Sequence, residues 1–138
     1  MVLTVIALSA AASGLCHAQA TSGVPATDWQ RVGATAGATV YFQAGSLRRD
    51  GQIRRISELQ DLKAPDPDGV MSRRYEAEYE CRHDMVRIGR IGSFAGPLLS
   101  GEKLFDVREM GYWRKIPPGS PFSALHALVC ADYDGPRG

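Results

Sequence analysis

Residues 72–81 read SRRYEAEYEC, and this stretch restricts the fold more than any other part of the chain. Tyr75, Ala77, Tyr79 and Cys81 alternate with Arg74, Glu76, Glu78 and Glu80. Successive side chains of a strand point to opposite faces, so a period of two with one apolar and one charged set marks a half-buried strand. Strands of parallel sheets are buried on both faces, so a one-sided pattern points to an antiparallel sheet. Cys81 belongs to the inward-facing set.

The segments on either side supply the rest of the sheet. DWQRV (28–32) and ATVYFQ (38–43) read as brief strands around a flexible glycine-containing link. Asp50-Gly51 is the strongest hairpin signal, because both residues tolerate positive φ. It is expected to join a short segment around Ser46 and Leu47 to a strand running from Gln52 to about Leu62. KAPDPDGV (63–70) is a polar loop with two prolines, and MVRIGRIGSF (85–94) is a strand with weaker alternation. AGPLLSGEK (95–103) is a glycine-rich loop, followed by strand candidates LFDVREM (104–110) and GYWRKI (111–116). Pro117 and Pro118 stop the last strand, since neither can donate to a ladder. Ser120 is a good N-cap and Pro121 suits the first helical position. Phe122, Leu125, Leu128 and Val129 then share a helical face, and the helix ends at Cys130. The tail, 132–138, is polar and expected to fray. The fold class is therefore α+β: an antiparallel sheet of about six short strands with a C-terminal helix packed on it.

Residues 2–16 are almost all apolar or small, and Ala18-Gln19-Ala20 is a small-x-small cleavage site. The run is too short to span a bilayer, so residues 1–20 read as a secretory signal peptide cut after Ala20. No Lys or Arg precedes the run, which adds a basic start upstream of Met1 to the expectations. A lipid-attachment site at Cys16 fits poorly, because Leu15 stands where a small residue is needed. Residues 21–27 are a linker, leaving one domain over 28–131 with no transmembrane segment. The net charge of +1 gives no case for nucleic-acid binding. Removing the leader leaves Cys81 and Cys130, and an even count in an exported chain argues for one disulfide. The rival reading, a metal pair completed by a histidine, lacks C-x-x-C spacing.

Catalytic signatures are sparse. His83 and His126 are the histidines beyond the leader, and both read as solvated or rim residues. No G-x-S-x-G or H-E-x-x-H motif occurs. GPLLSGEK imitates a phosphate loop, but Glu102 stands where the lysine must be. Glu76, Glu78 and Glu80 share one face of their strand, where cross-strand ion pairs to Arg54 and Arg55, or to Arg73 and Arg74, explain them better than a metal does. DPDG (66–69) has too few ligands for calcium. No catalytic residue, metal or cofactor is assigned. The candidate binding residues are Arg48, Arg49, Arg54 and Arg55, which flank the Asp50-Gly51 turn. They read either as a solvated hairpin that blocks edge pairing or as a contact patch for an anionic partner, a heparin-like glycan, lipid headgroups or an acidic protein segment.

The order of these pieces resembles the surface-adhesin protein E family. Trp29 opens the first strand, TVYFQAGSLRRDG leads into a basic hairpin, and YEAEYECRHDMVRI ends a strand near a single cysteine. SFAGPLLSG follows, and WRKIPPGSPFSALHALVC closes the block with a helix ending in cysteine. Ser57 and Gln43 depart from the pattern, standing where an aromatic and an acidic residue are expected. The resemblance implies a sheet with its helix tied on by a Cys81–Cys130 disulfide. It also implies an exported, non-catalytic, adhesin-like binding module in the periplasm or on the surface of a Gram-negative bacterium. A periplasmic structural or stress-related role is the rival, and a homodimer is left open.

Overall fold

Through the first six strands each pairs with the one before it, so the chain lays down most of its sheet in sequence order. The computed structural model describes residues 29–138. The proposed leader and linker, with Cys16, lie outside the described residues. The strands are β1 (Trp29–Ala34), β2 (Ala38–Asp50), β3 (Ile53–Leu62), β4 (Ser72–Glu80), β5 (Met85–Phe94), β6 (Lys103–Met110) and β7 (Arg114–Lys115). The order β1-β2-β3-β4-β5-β6 is antiparallel throughout, and β7 joins the same edge of β5 as β6 does. One short helix, α1 (Pro121–Val129), follows the sheet.

The two-residue period of β4 decides which side chain goes where. Tyr75, Ala77 and Tyr79 are paired in register with Glu58, Ile56 and Arg54 of β3, and these six define the inner face. Tyr79, Ala77 and Cys81 have no measurable exposure, and they cluster with Phe42, Ile56, Val86, Leu125 and Val129. The outer face carries Arg55 and Ser57 of β3, Arg74, Glu76 and Glu78 of β4, and Arg87 of β5.

The hairpin differs from expectation in two ways. β2 runs unbroken to Asp50, because a bulge after Gln43 absorbs the irregular residues. There Ser46 Oγ accepts from Ser57 N (2.8 Å) and donates to Gln43 O (2.6 Å), so one hydroxyl stands in for the missing ladder bonds. The turn itself is Gly51-Gln52, one residue later than predicted, with only Gly51 left-handed at φ 54°.

The helix starts where the sequence places it. Ser120 Oγ accepts from Ser123 N at 3.2 Å, and Pro121 occupies the first turn. Its buried stripe is shifted: Leu125 and Val129 are buried, while Leu128 is 56% exposed. The sheltered positions are Phe122, Leu125, His126 and Val129, the i, i+3, i+4, i+7 rule, which admits His126 and excludes Leu128. Cys81 and Cys130 form the disulfide, with Cα atoms 5.6 Å apart. The tail is anchored rather than frayed. Asp132 meets Arg49 (2.7 Å) and Arg54 (3.3 Å), and Gly138 N donates to Arg82 O (2.8 Å).

Candidate functional site

The outer face is a lattice of ions in which β4 supplies carboxylates and its neighbours supply guanidiniums. Glu78 lies between Arg55 Nη2 (2.5 Å) and Arg87 Nε (2.6 Å), and is only 2% exposed. Burial pushes its carboxyl up, but the hydrogen bonds and charges of Arg55 and Arg87 outweigh that and hold it below the usual range. Arg87 also stacks on Trp113, 4.6 Å from the ring centroid. Glu76 meets Arg55 Nε (2.6 Å) and Arg90 Nη1 (3.1 Å). Glu76 and Glu78 are thus held between arginines rather than solvated, which the alternation pattern alone does not reveal.

A hollow of about 330 Å³ opens beside this lattice. Gly92 forms its floor, placed in register between Arg74 of β4 and Asp106 of β6. A side chain at Gly92 would occupy the space: a Cβ there would come within 3.2 Å of Lys103 Cε and 3.5 Å of a Phe94 ring carbon. Arg74, Arg90, Phe94, Lys103 and Asp106 form walls. Arg90 reaches its place through strain. β5 takes three steps from Gly92 to Gly89 while β4 takes two from Arg74 to Glu76, and Arg90 in this bulge has φ 50°. A non-glycine residue in that region costs roughly 1–2 kcal/mol, and bulges of this kind re-aim side chains.

Arg74 lies over the Trp29 ring at 6.0 Å and has no carboxylate partner among the described residues. Lys103 pairs with Asp106 at 3.2 Å. A second hollow of about 350 Å³ adjoins the first, shares Arg90 and Asp106 with it, and adds Val107 and Arg108. The two together make a groove along β5 and β6.

The four hairpin arginines are distributed over both faces. Register pairs Arg48 with Arg55 on the outer side and Arg49 with Arg54 on the inner side. Arg54 is 4% exposed and donates to Val129 O (3.1 Å) and Gly51 O (2.7 Å). Arg49 holds Asp132, whose carboxyl is kept below its usual range by the hydrogen bond from Arg49 and then by Arg54. Arg55 belongs to the Glu78 lattice, and Arg48 donates to the carbonyls of Gly45 and Leu47.

The inner face contains a carboxyl that sequence reasoning did not single out. Glu58 has no measurable exposure and accepts from Tyr75 Oη (2.7 Å) and Tyr79 Oη (2.5 Å). Burial pushes it up to about 7, against the opposing pull of the two phenols. His126 is 13% exposed, 3.2 Å from Asp84, with its ring centroid 6.3 Å from that of Tyr79, so it is more sheltered than a rim residue. His83 is half exposed and meets Glu80 at 3.0 Å. In the glycine-rich loop, Leu98 N donates to Asp61 Oδ1 (2.7 Å), so a carboxylate already takes an amide that a phosphate would need. Asp66 turns inward on its own loop, accepting from Asp68 N and Val70 N. Among the described residues, no three His, Cys, Asp or Glu side chains are grouped to hold a metal.

The family model for surface-adhesin protein E matches residues 29–131. The chain belongs to that family. Three solved structures of Haemophilus influenzae protein E share the fold at low identity. Its crystal form II is 15% identical, with TM-score 0.54, covering 74% of this chain and 93% of that one. A second structure of protein E is 15% identical, with TM-score 0.51, covering 72% and 88%. The selenomethionine form is 14% identical, with TM-score 0.50, covering 72% and 90%. No curated protein sequence matches the chain. Membership supports an adhesin-like, exported protein of a Gram-negative bacterium and speaks for a non-enzymatic one. Among the described residues no helix is long and apolar enough to cross a membrane.

Proposed function

We propose that the chain is a non-catalytic binding module of the cell envelope that engages macromolecules through the outer face of its sheet. The observation carrying this is the groove along β5 and β6, where Arg74, Arg90, Lys103 and Arg108 meet an open surface on a sheet braced by a disulfide. Side chains held by strands keep a fixed spacing, which suits recognition. On this reading α1 covers the inner face, supported by the burial of Leu125 and Val129 and by the bond from Arg54 to Val129 O. Of the hairpin arginines, Arg48 and Arg55 extend the contact surface, while Arg49 and Arg54 hold the tail.

The test is binding of the purified, disulfide-intact chain to immobilised extracellular-matrix and envelope fractions, beside the double variant Arg74→Glu/Arg90→Glu. Saturable binding at micromolar concentration that the double variant loses is the expected result. Equal binding by both proteins would remove the outer face from the function. Protease accessibility on intact cells separates a surface module from a periplasmic one.

A further inference from the structure

The groove combines three kinds of group. Arg74, Arg90, Lys103 and Arg108 are cations, Glu76 and Asp106 are carboxylates set among them, and Phe94 offers an aromatic ring in the wall. We infer that this groove binds an acidic oligosaccharide, a chain of sugar rings bearing carboxylate or sulfate groups. The inference rests on the outer face being the binding surface and names the ligand class it takes.

Interleaved carboxylates decide between ligand classes. A polyphosphate or an anionic membrane phosphate brings negative charge without hydroxyl donors beside it, so Glu76 and Asp106 would meet only repulsion at close range. Sugar hydroxyls, in contrast, donate well to carboxylates, while guanidiniums fork onto carboxylate or sulfate oxygens. The Phe94 ring provides flat apolar surface for the C–H face of a sugar. Shape agrees with this chemistry. Each hollow, about 330 and 350 Å³, lies within the roughly 300–1,000 Å³ of small-molecule sites. Their junction at Arg90 and Asp106 makes the site longer than one ring. Two features exist to keep it open: Gly92, whose missing side chain leaves the floor clear, and the strained bulge that turns Arg90 into the wall. Arg74 and Arg108 have no carboxylate within ion-pair distance among the described residues. They are therefore available to an incoming anion.

The experiment is titration of the purified chain with a heparin-derived tetrasaccharide, a hyaluronan tetrasaccharide and neutral maltotetraose, followed by NMR shifts and calorimetry. An acidic oligosaccharide released from a Gram-negative envelope is run beside them to separate a host source from an envelope source. Either source supports the inference. The expected result is at least about tenfold tighter binding of an acidic sugar than of maltotetraose, from one to two charge-assisted hydrogen bonds. Shifts should centre on Arg74, Gly92 and Lys103. Gly92→Val fills the hollow without changing charge and should abolish binding, whereas Arg82→Ala, in the exposed turn between β4 and β5, should leave it unchanged. Inorganic sulfate binding as well as the tetrasaccharides, or acidic-sugar binding indifferent to Gly92→Val, would overturn the inference. So would matrix or envelope binding that needs Arg74 and Arg90 while no acidic sugar binds, and that result would leave the proposed function standing. Loss of both kinds of binding would remove the two together.

Discussion

Glu58 and Glu78 lie on neighbouring strands, both almost without exposure, yet on opposite faces and in opposite electrostatic states. Glu78 has two guanidiniums against it and stays charged below the usual carboxylate range. Glu58 has two phenols and apolar neighbours, and burial pushes it up to about 7. Burial alone therefore does not fix what a carboxyl does here; the kind of donor does. One carboxyl is held in its charged form and the other is pushed towards its neutral form.

The sharpest way to break this comparison is to delete each carboxyl in turn. Glu58→Ala leaves two buried phenols without acceptors and a void in the core, an expected loss of about 4 kcal/mol in urea unfolding at pH 6. Glu78→Ala should cost less, about 1–2 kcal/mol, because Arg55 and Arg87 retain 46% and 32% side-chain exposure and can hydrate. The reverse order would refute the contrast between the faces.

pH separates the two residues by sign. Glu58 has a folded value raised from 4.5 to about 7. The folded state thus holds this proton more tightly, and the associated stability is full below about pH 4.5 and lost as pH rises through 7. The expected fall between pH 4.5 and 8 is about 3 kcal/mol at 1.36 kcal/mol per pH unit, and Glu58→Gln should flatten it. Glu78 runs the other way: its lowered value adds stability above pH 4.5 that is lost as pH falls through the folded value. Glu78→Gln should therefore make the protein less sensitive to acid in denaturation followed by circular dichroism.

A smaller effect refines the outer face. Arg87→Ala removes the stacking on Trp113 and one of the two cations on Glu78, an expected loss of about 1 kcal/mol with a change in tryptophan fluorescence. Unchanged fluorescence would show that Trp113 is positioned without the arginine.

Much of the sheet was legible because alternation is a local signal. The faces of β4, the helix cap at Ser120 and the inward aim of Cys81 follow from spacing alone. The candidate site was harder to read. Arg48, Arg49, Arg54 and Arg55 look like one positive cluster in sequence, but a two-residue period divides them between faces, and Arg54 and Arg55 are then taken by different partners. Arg90 and Gly92 did leave a trace: MVRIGRIGSF alternates weakly, and glycines within a strand mark bulges. Which neighbour a bulge serves is set by pairing across strands, and that information is not local. Glu58 was hidden for the same reason. Its place in β3 is ordinary, and only the register with Tyr75 makes it a core residue.

The bridge from Cys81 to Cys130 has a consequence for the order of events during folding. From β1 to β6 every ladder joins strands adjacent in sequence, so the meander can form as the chain emerges, each hairpin templating the next. Cys81 sits at the end of β4, and its partner follows the last helix, 49 residues later. During synthesis from the N terminus, β4 is complete well before Cys130 exists. Oxidation of this pair therefore marks the arrival of the final element, and a protein with both thiols reactive is one whose C-terminal end has yet to be tied to β4.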